Sequence, residues 1–209
     1  MDSAIYEAAL DYIRTLFAGD ATGHDVHHTL RVYRTAMRIA EAEGADLNRI
    51  GLAALLHDAD DRKLFGTGDD LTNARRFMRT HGVPGDEEEA VCRIIGEVSF
   101  SKNGAAPPTT LEGMIVQDAD RLDAIGAIGI ARTFAFGGNR GQAIHEPGAD
   151  TGTSVAHFHE KLLKLKDLMN TAEAKRIAEG RHKVMEAFLE EFHAEWEGTD
   201  WMTVAELRR

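Results

Sequence analysis

The sequence predicts an all-α protein. Apolar residues recur at three- and four-residue steps through most of the chain, which is the spacing of one face of an α-helix. Only four prolines occur in 209 residues, so helices can run long without interruption. The alternation of apolar and polar residues that marks a half-buried strand is nearly absent. With no clear linker, these observations predict a single helical domain over residues 1–209.

The first half of the chain predicts five helices. The third is apolar on nearly every side, which is typical of a buried helix. The acidic, glycine-containing stretch 58–70 after it predicts a loop. The predicted helices cover Ser3–Phe17, Val26 or His27 to Ala42, Leu47–Asp58, Leu71–Thr80 and Asp86–Glu97.

The second half predicts three further helices around one long loop. Thr109 and Glu112 form a capping box, with Thr109 as the N-cap of a helix that reaches at least Leu122. The small residues of 124–131 continue this helix, so that the helical core spans about 3–135. The glycine-rich residues 136–153 predict a mobile loop. C-terminal helices follow over about 154–169 and 170–197.

Composition excludes several classes of partner. The chain has 24 Lys and Arg against 35 Asp and Glu, a net charge of −11, which argues against a nucleic-acid binder and a polybasic membrane-surface protein. Its single cysteine, Cys92, cannot form an internal disulfide. No apolar run approaches the roughly 20 residues that span a bilayer. The N-terminus also lacks a basic secretory signal region, so we expect a cytoplasmic protein.

Histidine and aspartate are concentrated at a few places next to apolar helices. His57 and Asp58 follow a buried helix, and Asp118 and Asp120 follow the apolar run 114–116. Ionisable groups at such positions are costly unless they are paired or bind a metal. A single histidine at a helix end is more often a cap, but several such sites together favour a metal centre. Imidazole and carboxylate without thiolate favour Mn²⁺, Fe²⁺, Co²⁺, Ni²⁺ or Mg²⁺ over structural zinc.

These residues occur in an order that resembles a known family. His28, with Arg31 three residues later, precedes the pair His57-Asp58 by 29 residues, and Asp120-Arg121-Leu122 lies 62 residues beyond Asp58. This H…HD…D order resembles the HD-domain superfamily of metal-dependent phosphohydrolases. Segments 55–63, 118–134 and 158–165 look like a bacterial subfamily of stand-alone HD hydrolases. That resemblance implies a helical HD domain that splits deoxynucleoside triphosphates into monophosphate and pyrophosphate.

The resemblance implies one divalent cation, with Mn²⁺ first and Mg²⁺, Ni²⁺, Co²⁺ or Fe²⁺ as alternatives. Its ligands are expected to be the four residues that match the family motif, His28, His57, Asp58 and Asp120. His24 and His27 are rivals of His28, and Asp118 is the rival of Asp120. If they do not bind the metal themselves, Asp118 and Asp123 are expected to orient a metal ligand or an arginine.

The predicted mechanism is attack by metal-activated water on a phosphorus atom. Asp58 beside the metal, or Asp61 just beyond it, could accept the proton, with Asp60 as an alternative. Lys63 is expected to neutralise charge on the phosphoryl oxygens. Arg31, Lys63 and Arg121 are the candidate substrate-binding residues. The glycine-rich loop could act as a lid over the substrate.

Two other functions fit the same residues. An HD domain can hold its metal and sense a nucleotide without turnover. A di-iron oxygenase needs additional histidine ligands, and the next histidine after His57 is His81. The expected partner is a small nucleotide or phosphoester, and a homodimer is compatible with the sequence.

Overall fold

The computed structural model describes residues 3–18, 26–61, 70–98 and 107–201, and their regular structure is entirely helical. The all-α prediction is therefore confirmed, and none of the described helices is long and apolar enough to cross a membrane. The described helices are α1 Ser3–Leu16, α2 Val26–Glu43, α3 Leu47–Leu56, α4 Thr72–Thr80, α5 Gly85–Val98, α6 Leu111–Asp123, α7 Gly126–Asn139, α8 Ser154–Glu160, a 3₁₀ helix Leu162–Leu168 and α9 Ala172–Glu197.

Contacts divide the chain into two compact units. The first comprises residues 1–123 and 167–176, and the second comprises 124–166 and 177–209. Helix α9 therefore starts in the first unit and continues in the second. The single domain over 1–209 stays a prediction.

Helix α3 forms the centre of the first unit. It packs against α1, α2, α5 and α6, and every residue from Ile50 to Leu56 is buried. The Asp46 carboxylate accepts hydrogen bonds from the backbone N–H groups of Asn48 and Arg49, which caps the start of the helix. Because α3 has no solvent-facing side in this stretch, whatever follows Leu56 begins inside the protein.

Helices α7, α8 and α9 supply an aromatic core to the second unit. Phe134, Phe158, Phe188 and Phe192 form successive ring contacts with centroids 5.7 to 6.5 Å apart. Helix α8 packs against α7. A side chain at Gly137 of α7 would collide with the Ser154 hydroxyl of α8, so glycine is required for this approach.

The helix predicted to continue from Leu111 through residue 131 is instead two helices. Helix α6 ends at Asp123, and Gly126 at the start of α7 has φ of +75°, a left-handed conformation that favours glycine. The predicted N-cap was also wrong by one residue. The Thr110 hydroxyl accepts the Gly113 N–H, whereas the Thr109 hydroxyl donates to Glu97 of α5.

Two boundaries in the second unit differ from the prediction. The loop predicted over 136–153 begins later, because α7 continues to Asn139. The helix predicted over 154–169 is broken at Lys161, which separates α8 from the 3₁₀ helix.

Candidate metal centre

His57 and Asp58 lie directly at the end of α3. His57 is its C-cap, and the chain then turns, with the Ala59 N–H donating to the Leu56 carbonyl. His57 Nδ1 lies 2.8 Å from the Ala54 carbonyl, which can only accept, so Nδ1 carries the proton. Nε2 therefore presents its lone pair, and it is buried without a hydrogen bond to any residue that the structure describes. A buried imidazole nitrogen left in this state is suited to binding a cation.

His28 on α2 brings a second imidazole to the same place. Its side chain is 1% exposed, and its ring centroid lies 5.4 Å from that of His57. His28 Nε2 is 3.4 Å from Asp58 Oδ2 and 3.5 Å from Asp120 Oδ1. On the other side of the ring, Nδ1 is 2.7 Å from Asp123 Oδ2. The ring is thus fixed by one carboxylate while Nε2 faces two others.

Helix α6 separates its three aspartates by role. Asp120 and Asp123, three residues apart, lie on the same face and approach His28 from its two sides. Asp118 lies on another face, where it accepts hydrogen bonds from Asn170 and Thr171 at 2.8 to 2.9 Å. The structure therefore places Asp120, and not Asp118, beside the His28 imidazole.

Among the described residues, the cluster combines two imidazoles with nearby carboxylates, an arrangement that favours a cation. His28, His57 and Asp58 offer ligand atoms that all lie within 4.8 Å of one another. Burial lowers the pKa of His28, but the hydrogen bond to Asp123 and the Asp58 and Asp120 carboxylates outweigh it and raise the pKa to about 9. The same field that retains a proton on His28 favours a divalent ion. Two imidazoles and two carboxylates are a donor set that such an ion accepts.

Comparison with known proteins agrees with this arrangement. The family described as "HD domain" matches residues 25–125. The Bacillus subtilis protein YpgQ is 40% identical over 192 residues, which are 90% of this chain and 92% of YpgQ. The chain belongs to the HD superfamily of metal-dependent hydrolases.

Solved structures of HD proteins show the same fold. The crystal structure of an HD-superfamily hydrolase from Bacillus thuringiensis is 40% identical, covers 94% of this chain and 99% of its own, and has a TM-score of 0.81. The crystal structure of Bacillus subtilis YpgQ in complex with ADP is 39% identical, covers 91% of this chain and 100% of its own, and has a TM-score of 0.76. HD domains bind divalent metals. In this chain the His57-Asp58 pair and His28 form the cluster of possible metal ligands.

Of the two rivals of His28 in the HD motif, His27 lies within the described residues, and it is not part of the cluster. His27 is exposed on the other side of α2, as the 100° step between neighbouring helical residues requires. His24 lies outside the described residues, as does Lys63. His81 is exposed at the end of α4, where its Nδ1 lies 2.9 Å from the Phe77 carbonyl.

The two acidic residues after the HD pair differ in environment. Asp60 is buried, and its carboxylate accepts the N–H groups of Asn73 and Ala74 at 2.9 Å, which caps the first turn of α4. An aspartate engaged in this way is a structural cap. Asp61 is half-buried and lies at the end of the turn, with its N–H donating to the Asp58 carbonyl.

Both predicted substrate-binding arginines of the described chain have protein partners. Arg31 forms two hydrogen bonds with Asp123, at 2.6 and 3.0 Å. Arg121 is buried, with Nη1 donating to the Leu168 carbonyl, and burial lowers its pKa. We therefore leave Arg121 out of the proposed substrate contacts.

The sequence did not reveal two groups that support the centre. The Ala54 carbonyl three residues before His57 fixes its tautomer, a relation that helical spacing could have indicated. Asn170 and Thr171, which engage Asp118, come from a segment more than 50 residues away, and no local pattern connects them. The role expected of Asp118, orienting a ligand or an arginine, stays a prediction, whereas that of Asp123 agrees with its contacts to His28 and Arg31.

Proposed function

We propose that this chain is a phosphohydrolase that acts on a nucleotide with one divalent cation, Mn²⁺ first and Mg²⁺, Ni²⁺, Co²⁺ or Fe²⁺ as alternatives. His28, His57, Asp58 and Asp120 would hold the cation. The observation that carries the proposal is the buried Nε2 of His57, which has no hydrogen-bond partner among the described residues and lies 3.4 Å from Asp58 Oδ2, the same oxygen that His28 Nε2 approaches.

The four proposed ligands have a graded exposure that indicates how water and substrate reach them. Their side chains are 1% exposed for His28, 3% for His57, 14% for Asp58 and 35% for Asp120. The imidazoles thus form the closed side of the centre, and Asp120 borders its open side. Water and a phosphate group would approach beside Asp120.

A divalent ion bound there would lower the pKa of a coordinated water and polarise a phosphoryl oxygen. The protein's own residues position the reactants and move the proton. Asp61, half-buried one turn beyond Asp58, is the proposed general base that accepts the proton of the attacking water. Asp58 is the alternative acceptor. Lys63 keeps its predicted role in neutralising the phosphoryl oxygens.

A nucleotide is the proposed substrate because YpgQ, of similar length and fold, was crystallised in complex with ADP. Cleavage of a nucleoside triphosphate into monophosphate and pyrophosphate follows from the resemblance described above. The proposal includes a cytoplasmic, single-domain protein, and a homodimer is compatible with it.

The test is a product assay on metal-stripped, full-length protein with Mn²⁺ restored. A panel of nucleoside mono-, di- and triphosphates is assayed for phosphate and pyrophosphate separately. His57→Ala should lose turnover and bound metal, whereas His81→Ala, which removes an exposed histidine of the same unit, should retain both. Absence of metal-dependent turnover on every substrate would contradict the proposal. Tight nucleotide binding without product would identify a sensing module instead.

A further inference from the structure

Asp123 occupies a position that is unfavourable for a carboxylate. It is 3% exposed and lies at the C-terminal end of α6, where the helix dipole disfavours negative charge. Three N–H groups compensate for this cost. His28 Nδ1 donates at 2.7 Å, Arg31 Nε at 2.6 Å and Arg31 Nη2 at 3.0 Å. Because His28 and Arg31 are three residues apart on α2, a single face of that helix provides all three donors.

We propose that Asp123 is a positioning residue that holds His28 with Nε2 toward the cation, and that Arg31 serves this carboxylate and not the substrate. The inference rests on the proposed metal centre. It assigns to Asp123 a function outside the H…HD…D residues, and it gives Arg31 a different role from the one that the sequence predicts.

The two sides of the His28 ring have different partners, which fixes its orientation. A carboxylate that accepts from Nδ1 fixes the tautomer, prevents rotation of the ring and makes Nε2 a stronger ligand. The ring of His57 is fixed in the same way by the Ala54 carbonyl, which accepts from Nδ1 but carries no charge. Of the two proposed imidazole ligands, His28 is therefore the one whose strength as a ligand depends on a charged residue.

Arg31 completes the charge balance of the centre. Among the described residues, three carboxylates lie around His28, those of Asp58, Asp120 and Asp123. The bidentate guanidinium of Arg31 offsets Asp123 and holds it on the Nδ1 side of the ring. On the other side of the ring, the carboxylates of Asp58 and Asp120 lie 3.4 and 3.5 Å from Nε2. Burial alone would raise the pKa of Asp123, but its bonds to His28 and Arg31 hold the pKa well below its ordinary range.

The experiment measures Mn²⁺ affinity of the metal-stripped full-length protein by calorimetry, with Mn²⁺ alone as the probe. Asp123→Asn should weaken binding by about 10- to 100-fold, the usual effect of removing the partner of a metal-bound imidazole. Arg31→Gln should weaken binding in the wild-type background. In the Asp123→Asn background it should produce little further loss, because Arg31 acts through Asp123.

The chain offers a matched control for each substitution. Asp118→Asn alters another buried aspartate of α6, so it should lower the thermal midpoint while Mn²⁺ affinity is retained. Arg38→Gln alters an exposed arginine of α2 that pairs with Glu173, so it should change neither. At saturating Mn²⁺, the KM of Arg31→Gln for the nucleotide should equal that of the wild type.

The outcomes separate this inference from the proposed function. Asp123→Asn with wild-type Mn²⁺ affinity would overturn the positioning role, provided that His57→Ala loses Mn²⁺ in the same assay. If His57→Ala also binds Mn²⁺ normally, the metal centre itself is wrong. If Asp123→Asn fails to fold, Arg31→Gln alone decides the inference. A raised KM at saturating Mn²⁺ with unchanged Mn²⁺ affinity would make Arg31 a substrate contact.

Discussion

Two regions of the molecule have similar side chains but different geometry. The first unit contains the proposed metal centre of His28, His57, Asp58 and Asp120. The second unit contains a cavity of about 320 Å³, here called the histidine hollow, which is lined by three histidines, two acidic residues and a lysine: His145, His159, His193, Asp150, Glu160 and Lys164. From residue types alone, both regions would be equally good candidates for a cation-binding site.

The arrangement of the imidazoles distinguishes them. In the metal centre each ring is buried and has Nδ1 fixed by an acceptor, so Nε2 faces the carboxylates. In the hollow, His159 and His193 are exposed, and His145 makes edge contacts with the rings of His193 and Trp196. Across the described part of the chain, only the HD residues bring three ligand atoms within 4.8 Å of one another. Burial and orientation, more than residue type, define the metal centre.

The largest expected effect follows from removing one ligand of the centre. Asp58→Asn keeps the size of the side chain but removes a negative charge from between the two imidazoles. We expect Mn²⁺ affinity to fall by more than about 100-fold and turnover to be lost with it. This loss is larger than the one expected for a residue that only hydrogen-bonds a ligand, such as Asp123. Metal content by elemental analysis and Mn²⁺ titration measure this.

The matched change in the histidine hollow is the double substitution His145→Ala/His193→Ala. It removes two imidazoles, as many as the centre contains, and should leave metal content and turnover unchanged. Loss of metal from this variant, with retention in Asp58→Asn, would reverse the comparison between the two regions.

Asp60 and Asp61 provide a second contrast between adjacent residues. Asp61→Ala should reduce kcat by about 100-fold or more while Mn²⁺ binding is retained, because a general base acts after binding. Asp60→Ala should instead lower the free energy of unfolding by about 1 kcal/mol through loss of the α4 cap, with kcat nearly unchanged. Steady-state kinetics and denaturant titration distinguish them. Equal losses of kcat would show that Asp60 also contributes to the chemistry.

The charge of the centre predicts how metal binding depends on pH. In the metal-free protein the pKa of His28 is about 9, so a cation must displace a proton at neutral pH. Apparent Mn²⁺ affinity should therefore rise about tenfold for each pH unit between about pH 7 and 9. A proton held by a raised pKa stabilises the metal-free fold fully below pH 6.5, and this stabilisation is lost as the pH rises through about 9. A pH-independent affinity would contradict the protonated state.

Glycines of the second unit should have the smallest effects on the metal centre. A side chain at Gly129 would overlap the Ala124 carbonyl oxygen, so Gly129→Ala should cost about 1–3 kcal/mol of unfolding free energy. A side chain at Gly180 meets nothing within 4 Å, so Gly180→Ala in exposed α9 should stabilise by about 0.5–1 kcal/mol. Denaturant unfolding tests both. Neither change should alter Mn²⁺ affinity, and an altered affinity would argue against confining the centre to the first unit.

Most helices were predictable because local periodicity and caps determine them. Helix α3 and the buried position of the residue after it follow from an unbroken apolar run. The break at Lys161 could not be predicted, since residues 158–169 keep helical spacing without glycine or proline. The glycine at position 126 is a sequence signal for the break between α6 and α7. A glycine is equally compatible with close helix packing, and only its left-handed backbone conformation shows that the chain turns here.

Within the centre, spacing could propose Asp120 but could not exclude Asp118. The distinction depends on Asn170 and Thr171, which reach Asp118 from a distant segment and give it a structural role. Periodicity does favour the pairing of Asp120 with Asp123, three residues apart on one helix face. Choosing among the candidate ligands therefore needed tertiary structure, whereas locating the candidate segments did not.

The most direct test is a crystal structure of the protein soaked with Mn²⁺, with anomalous diffraction to locate the ion. We expect one strong anomalous peak bonded to Nε2 of His28 and His57 and to carboxylate oxygens of Asp58 and Asp120, with Asp123 on the far side of the His28 ring. A peak in the histidine hollow, or Asp118 bonded in place of Asp120, would show that the proposed metal centre is wrong.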